Sequence, residues 1–175
     1  MTDLVTLTDP LDGFAGATFS KNMAYRYTLW RTIGAGDRSI AWCGLNPSTA
    51  DHLQLDPTVT RVVKRSREMG FGTVWMTNLF GFRATDPAVM KAEMYPTEAN
   101  PGEYWEAVDP VYANAEIIVC CWGVHGIHFD RASYWLAEVR RSHWGDKLRC
   151  LDLTKDGHPK HPLYIPLAKQ IQPYP

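Results

Sequence analysis

Four apolar runs, each followed closely by polar residues, constrain the fold of this chain more than any other feature. The first, residues 40–43, leads directly into Gly44-Leu45-Asn46-Pro47-Ser48. Residues 74–78 and 117–123 share this design, and residues 148–151 lead to the loop that contains His161. Because ligands of open α/β sheets bind outside the carboxyl ends of the strands, we expect these four strand ends to build one pocket.

The order of strand-like and helix-like segments predicts an α/β fold. We expect a three-layer αβα arrangement around a central, mostly parallel four-stranded sheet, with helices on both faces. Residues 25–30, the turn at 34–37 and the strand that ends at Leu45 predict an N-terminal antiparallel hairpin. Residues 1–17 hold Asp-Pro and two glycines, which predicts an irregular lead-in to a single domain that spans residues 1–175.

The segment after Asp56-Pro57 predicts an amphipathic helix. Asp56 is a good helix cap, Pro57 suits the first helical position, and Gly70 is a typical stop. The positions that share one face of this helix, and are therefore predicted to face the core, are Val59, Val62, Val63, Ser66 and Met69.

The basic residues of the same helix permit two interpretations. They form either a solvated face or a surface that faces phosphates. The formal net charge of the chain is only −1, so any nucleic-acid contact must come from a local patch of this kind. The residues concerned are Arg61, Lys64, Arg65 and Arg67.

Several classes of protein are excluded by the motifs that the chain lacks. It has no phosphate-binding P-loop, no nucleophile elbow and no dinucleotide fingerprint, which argues against nucleoside triphosphatases, serine hydrolases and NAD enzymes. The four cysteines lie in apolar runs without a C-x-x-C pair, so we expect buried free thiols. No signal peptide or membrane span is visible, so we expect a cytoplasmic protein without a membrane or obligate protein partner.

Three side chains in the polar segments are the main candidates for chemistry. Asn46 can hold a water molecule but cannot take its proton, whereas Asp51 or Asp56 can act as the base. Asn78 offers both a donor and an acceptor, the pattern needed to read the edge of a base. His161, in a dense polar loop, can stabilise an anionic leaving group.

Two less specific interpretations stay open for the same residues. The segment around Asn46 can be an ordinary turn, stabilised by bonds between its side chains and the backbone. The histidines form two H-x-x-H pairs, and four imidazoles in one place would make a metal site. These are His125, His128, His158 and His161.

Taken in order, the motifs resemble those of the uracil-DNA glycosylase superfamily. Residues 44–47 resemble its water-activating motif, residues 74–79 the strand with the base-reading Asn, and His161-Pro162 its leaving-group loop. Together with the H-P-L-Y sequence at 161–164, the pattern also resembles a bacterial and phage family known only as a domain of unknown function. The resemblance covers about residues 40–166.

The resemblance implies a DNA glycosylase that hydrolyses the N-glycosidic bond of a base flipped out of single- or double-stranded DNA, as in DNA repair or DNA modification. It implies the corresponding fold and no cofactor. Catalysis would fall to Asn46, Asp51 and His161. The residues that the resemblance places around the substrate are Leu45, Pro47, Ser48, Asn78, Arg83, Leu163 and Tyr164.

Three departures from the superfamily pattern refine these expectations. Ser48 occupies the place where uracil-specific enzymes carry a bulky Tyr, which implies a modified pyrimidine rather than plain uracil. Leu163 or Tyr164 would be the wedge that replaces the flipped base. Phe71 and Phe80 are candidates for the aromatic that stacks on the base.

Two alternative functions stay open. One is a pocket that binds a nucleotide or modified base without cleaving it, and the other is a His-liganded metalloenzyme.

Overall fold

The structure, a computed structural model, describes residues 3–11, 13–48 and 56–175. These residues form one eight-stranded sheet and four α-helices. The strands are β1 (Val5–Thr8), β2 (Ala15–Phe19), β3 (Arg26–Thr32), β4 (Ser39–Gly44), β5 (Thr73–Asn78), β6 (Ile117–Cys120), β7 (Leu148–Cys150) and β8 (Gln172–Pro173). The helices are α1 (Pro57–Glu68), α2 (Pro87–Ala92), α3 (Glu103–Asn114) and α4 (Arg131–Arg141).

The sheet differs from the predicted one. Its strand order is β1-β2-β3-β5-β4-β6-β7-β8, and antiparallel pairings outnumber parallel ones by four to three. The prediction of a central, mostly parallel four-stranded sheet of the uracil-DNA glycosylase type is therefore wrong. The physical reason is that both ends of the chain add strands: β1, β2 and β3 extend one edge antiparallel, and β8 pairs antiparallel with β7 at the other.

The N-terminal region was mispredicted in two ways. Residues 1–17 are not an irregular lead-in, because they contain β1 and the start of β2, whose Ala15 and Ala17 are buried. The predicted hairpin is also wrong, because β3 does not pair with β4. It pairs with β2 on one side and with β5 on the other, where Leu29 lies opposite Met76.

Helix α1 confirms the prediction made from its sequence. The Asp56 carboxylate accepts a hydrogen bond from the Val59 amide at 2.7 Å, Pro57 occupies the first turn, and the helix ends at Glu68. Val62 and Ser66 are fully buried, as the predicted apolar face requires. The helix packs on one face of the sheet, whereas α3 and α4 pack on the other.

Arg65 of α1 is neither solvated nor available to a phosphate. It is 4% exposed, and its guanidinium donates to four backbone carbonyl oxygens after the predicted His161 loop, those of Ile165, Pro166, Leu167 and Lys169. Arg61 also donates to the Ile165 oxygen, at 2.8 Å. Two of the four basic residues therefore fix the C-terminal segment against α1.

The cysteine prediction is confirmed, since Cys43, Cys120, Cys121 and Cys150 are free thiols with no exposed surface. Burial raises the pKa of the Cys43 thiol to about 12, which makes it unreactive at neutral pH. Within the described parts of the chain, no helix is long and apolar enough to cross a membrane.

Replacing Arg65 should destabilise the protein strongly. In Arg65→Met the carbonyls of residues 165–169 lose a charged donor, and we expect the free energy of unfolding to fall by about 3 to 5 kcal/mol. Urea denaturation measures this loss. Lys64→Ala, on the exposed side of the same helix, is the control and should change stability by less than about 0.5 kcal/mol. If Arg65→Met lowers the free energy of unfolding no more than the control does, Arg65 does not hold residues 165–169 against α1.

Candidate functional site

A cleft of about 610 Å³ opens at the carboxyl ends of β4, β5 and β6. Its lining includes Gly44 to Ser48 after β4, Asn78 at the end of β5, and Trp122 and Gly123 after β6. Residues of the loop 152–161 and the first turn of α1 complete the wall. The volume lies in the range of about 300–1,000 Å³ that is usual for sites of small organic ligands.

Backbone hydrogen bonds bring the ends of β4 and β5 together. Beyond the parallel ladder, the amide of Leu79 donates to the Gly44 oxygen and that of Phe80 to the Leu45 oxygen, both at 2.9 Å. The Ala84 amide donates to the Pro47 oxygen, also at 2.9 Å. The loops that follow the two strands therefore run side by side, and each delivers one asparagine to the cleft.

Asn46 is held in one orientation by its amide nitrogen. Nδ2 donates to the Ala84 carbonyl at 2.7 Å and to the Pro47 carbonyl at 3.2 Å. Both donors of the side chain are thereby used, so Oδ1 is the group that remains to accept a hydrogen bond in the cleft. This arrangement suits the holding of a water molecule or a hydroxyl group.

Asn78 is 5% exposed, yet its carboxamide has no hydrogen bond with the residues that the structure describes. Its backbone is fixed, because the Tyr104 hydroxyl donates to the Asn78 carbonyl oxygen at 2.7 Å. Gly44 leaves room for this carboxamide, since a Cβ atom at position 44 would lie 2.7 Å from Asn78 Oδ1 and would displace it. The result is a rigidly placed carboxamide with a donor and an acceptor available to a ligand.

His161 reaches the cleft from a loop that is tied to the sheet. The Gly123 amide donates to the Pro159 oxygen, and the Lys160 amide to the Asp152 oxygen, both at 2.9 Å. His161 Nδ1 is buried without a hydrogen-bond partner among the described residues, which leaves Nε2 as the nitrogen for a ligand. Burial lowers the pKa of this ring, and the carboxylate of Asp56 opposes that effect. The ring is therefore neutral at neutral pH.

Charged groups of both signs line the cleft. The Asp56 carboxylate accepts from the Ser48 hydroxyl at 2.8 Å in addition to capping α1. Lys160 forms an ion pair with Asp152 at 2.7 Å and holds the pKa of that carboxylate below its usual value. Arg26 also belongs to the lining, although it is only 3% exposed.

Most of the residues predicted to contact the substrate line this cleft, and two do not. Arg83 lies outside it, with its guanidinium bonded to the Met23 oxygen and placed over the Phe19 ring, and Leu163 is 38% exposed on the surface. The predicted catalytic Asp51 lies outside the described residues. The predicted residues that line the cleft are Leu45, Asn46, Pro47, Ser48, Asn78, His161 and Tyr164.

The stacking aromatic was assigned to the wrong residues. Phe71 and Phe80 are both core side chains, with exposures of 3% and 0%. The aromatic residues of the described cleft lining are Trp122, which is itself 2% exposed and packs against Trp135 in the core, and Tyr164, which is 81% exposed. Sequence analysis missed Trp122 because it directly follows a buried strand, where an apolar ring is expected to be core.

The four histidines of the H-x-x-H pairs do not form a metal site. The described residues contain no group of three or more histidine, cysteine, aspartate or glutamate side chains placed to hold one ion. His125 instead lies 2.9 Å from Lys91 through its Nδ1, and the ring of His128 packs on Phe80 and Phe129. The metalloenzyme hypothesis has no support in this geometry.

The model of one protein family matches residues 26–163, which is well over half of the chain. The chain belongs to this family. It is described as "Protein of unknown function (DUF1643)", in agreement with the expected resemblance to a family known only as a domain of unknown function. Among curated proteins and solved structures, none matches the chain. The matched DUF1643 span includes Asn46, Asn78 and His161.

From the lowered pKa of His161 we predict how the free energy of unfolding depends on pH. Below about pH 6.5 the unfolded chain binds a proton at this ring while the folded protein resists it, so stability falls as the pH decreases from there. We expect His161→Asn to lose less unfolding free energy than the wild type between neutral pH and about pH 5. Urea denaturation across this range measures the slopes, with His143→Asn, at an exposed ring, as the matched control. Equal slopes for wild type and His161→Asn would contradict the burial of this ring.

Proposed function

We propose that this protein hydrolyses the N-glycosidic bond of a pyrimidine, either uracil or a modified base. The observation that carries the proposal is the convergence of two differently presented carboxamides and a neutral imidazole in one cleft. Asn46 offers an acceptor, Asn78 offers both a donor and an acceptor, and His161 offers one ring nitrogen. These are the groups needed to hold a water, a base edge and a leaving group.

The attacking water would be held by Asn46. Its Oδ1 accepts a hydrogen bond from the water, because both donors of the side chain are bound to backbone oxygens. As the water attacks the sugar carbon, the C–N bond breaks and its electron pair leaves with the base. The proton lost by the water needs a base, and Asp56 is the carboxylate in the described cleft lining that can take it.

The base would be recognised by Asn78. The imide edge of uracil presents an N–H donor beside a carbonyl acceptor, and a carboxamide complements both at once. Since Asn78 is unbonded to described residues and almost fully buried, it loses little side-chain freedom on binding. Because the backbone of Asn78 is fixed, a base that does not present this donor and acceptor pair would be bound less well.

His161 would stabilise the departing base. A neutral imidazole can donate a hydrogen bond to the oxygen on which negative charge develops, without the cost of burying a second charge. The transition state has oxocarbenium character, and the Asp56 carboxylate in the same cleft can stabilise its positive charge. By this account, electrostatic placement supplies most of the rate enhancement.

A modified pyrimidine is favoured by the room at Ser48. This side chain is small and its hydroxyl is turned to Asp56 at 2.8 Å, so it does not block a substituent on the base. The resemblance of the motifs to those of uracil-DNA glycosylases supports the same type of reaction, the hydrolysis of an N-glycosidic bond. Substrate panels for this protein should therefore include 5-substituted pyrimidines.

A second candidate function, binding of a nucleotide without cleavage, is favoured by one observation. Both carboxylate oxygens of Asp56 already accept hydrogen bonds, one from Ser48 and one from the Val59 amide. A carboxylate that is engaged in this way is a weaker proton acceptor than a free one. In that case the two asparagines and His161 would serve recognition alone.

Asn46→Ala separates these two functions. If the protein is a hydrolase, we expect turnover of its substrate to fall by about 100-fold or more while binding is retained, because the water loses its acceptor. Base release is followed by chromatography and binding by calorimetry. Asn114→Ala is the matched control, since Asn114 also bonds a backbone oxygen, that of Pro110, but lies outside the cleft. If the wild type shows no turnover and Asn46→Ala loses binding, the binding function is favoured.

A further inference from the structure

Several basic residues of this protein lie at the end of the sheet opposite to the cleft. Arg38 immediately precedes β4, and Lys147 immediately precedes β7, whereas the cleft lies where these parallel strands end. Helix α1 starts at the cleft with Asp56 and carries Arg65 and Arg67 in its last turn. A protein that grips DNA needs lysine and arginine around its site to bind the phosphates, so this distribution is unsuited to the task.

Helix α4 repeats the same polarity. Its first residue, Arg131, donates to the Leu79 oxygen next to the end of β5, and its last turn carries Arg140 and Arg141. These two are also bound within the protein, Arg140 to the Pro175 oxygen and Arg141 to the Glu138 carboxylate. The last turns of two helices thus carry cations at the end away from the cleft.

Of the two lysine and arginine residues in the described cleft lining, one is paired with an anion and the other is buried in the wall. Lys160 is paired with Asp152, and Arg26 is only 3% exposed. Asp56 belongs to the lining itself, and Asp156 is exposed in the loop that also carries Thr154 of the lining. Among the described residues at this opening, a negatively charged DNA strand would meet carboxylates as well as the exposed Lys155.

Helix N-termini often bind phosphate through free amides, but those of α1, α2 and α3 are occupied by the chain's own carboxylates. Asp56 accepts from the Val59 amide of α1 at 2.7 Å, and Asp86 accepts from the Ala88 amide of α2 at 2.8 Å. At α3, the Glu98 carboxylate accepts from the amide of Tyr104 at 2.9 Å. Backbone amides at these three positions are therefore not offered to a phosphodiester.

The size of the cleft points to a ligand larger than one base. Enzymes that flip a base out of DNA read that base in a close-fitting pocket. A volume of about 610 Å³ is instead in the range for a whole drug-sized molecule. A nucleoside, with its base and sugar together, matches that size.

We infer that the substrate of this cleft is a free pyrimidine nucleoside, and not a base within a DNA strand. The inference rests on the proposed hydrolase function and specifies its substrate class. Water would attack the sugar carbon, the C–N bond would break with its electrons passing to the base, and the products would be a free sugar and a free pyrimidine.

The test compares release of the same base from free nucleosides and from oligonucleotides. The full chain is incubated with 2′-deoxyuridine and 5-hydroxymethyl-2′-deoxyuridine, and with single-stranded and duplex oligonucleotides that contain the same bases. Released base is quantified by chromatography. We expect kcat/KM for at least one free nucleoside to exceed that for the oligonucleotides by about tenfold or more.

Two other outcomes are distinguishable from this one. Release at an equal or higher rate from oligonucleotides would overturn the inference and leave the proposed hydrolase function standing. The absence of release from every substrate would contradict the proposed function itself, and the inference with it.

A second measurement uses Lys155, which is exposed next to Thr154 of the lining and is the cation best placed to meet a phosphate strand. We expect Lys155→Ala and its control Lys64→Ala to turn over the substrate alike, with little dependence on salt. A selective loss in Lys155→Ala, together with activity that falls steeply as salt rises, would reveal phosphate-backbone binding and overturn the inference.

Discussion

The candidate site depends on one set of backbone hydrogen bonds, those that tie the loop after β4 to the loop after β5. The amides of Leu79, Phe80 and Ala84 donate to three oxygens of the opposite loop, so the two loops cannot move apart independently. The glycine at position 44 allows this close approach, because any side chain there would collide with the Asn78 carboxamide. Asn46 and Asn78 face one cleft as a direct consequence.

The third functional group is held by a different device. His161 precedes a segment whose carbonyl oxygens are bound by Arg65, a buried arginine on α1. The same helix begins with Asp56, whose carboxylate lies in the cleft and acts on the His161 ring. Helix α1 therefore connects the His161 imidazole, the Asp56 carboxylate and the sheet in one rigid unit. The positive charge of Arg65 is used within the protein and does not contact a ligand.

Local sequence signals predicted those features that depend on neighbouring residues. Asp56-Pro57 and the spacing of Val59, Val62 and Ser66 defined α1, and the apolar runs that end in polar residues located the strand ends. The direction and partners of the strands could not be read in this way. The small residues Ala15, Gly16 and Ala17 carry no strand signal, and nothing in residues 25–45 indicates that β5 separates β3 from β4. The role of Arg65 was hidden because its partners are backbone oxygens, which leave no trace in the sequence.

The central claim, that two asparagines and His161 surround a pyrimidine nucleoside, is tested most directly by a crystal structure. The Asn46→Ala variant, which should bind but not turn over, would be soaked with 2′-deoxyuridine. Our account predicts the base edge on the Asn78 carboxamide, a carbonyl oxygen of the base facing His161, and the sugar carbon toward position 46. A nucleoside bound outside this cleft, or inside it with the base away from Asn78, would contradict the account.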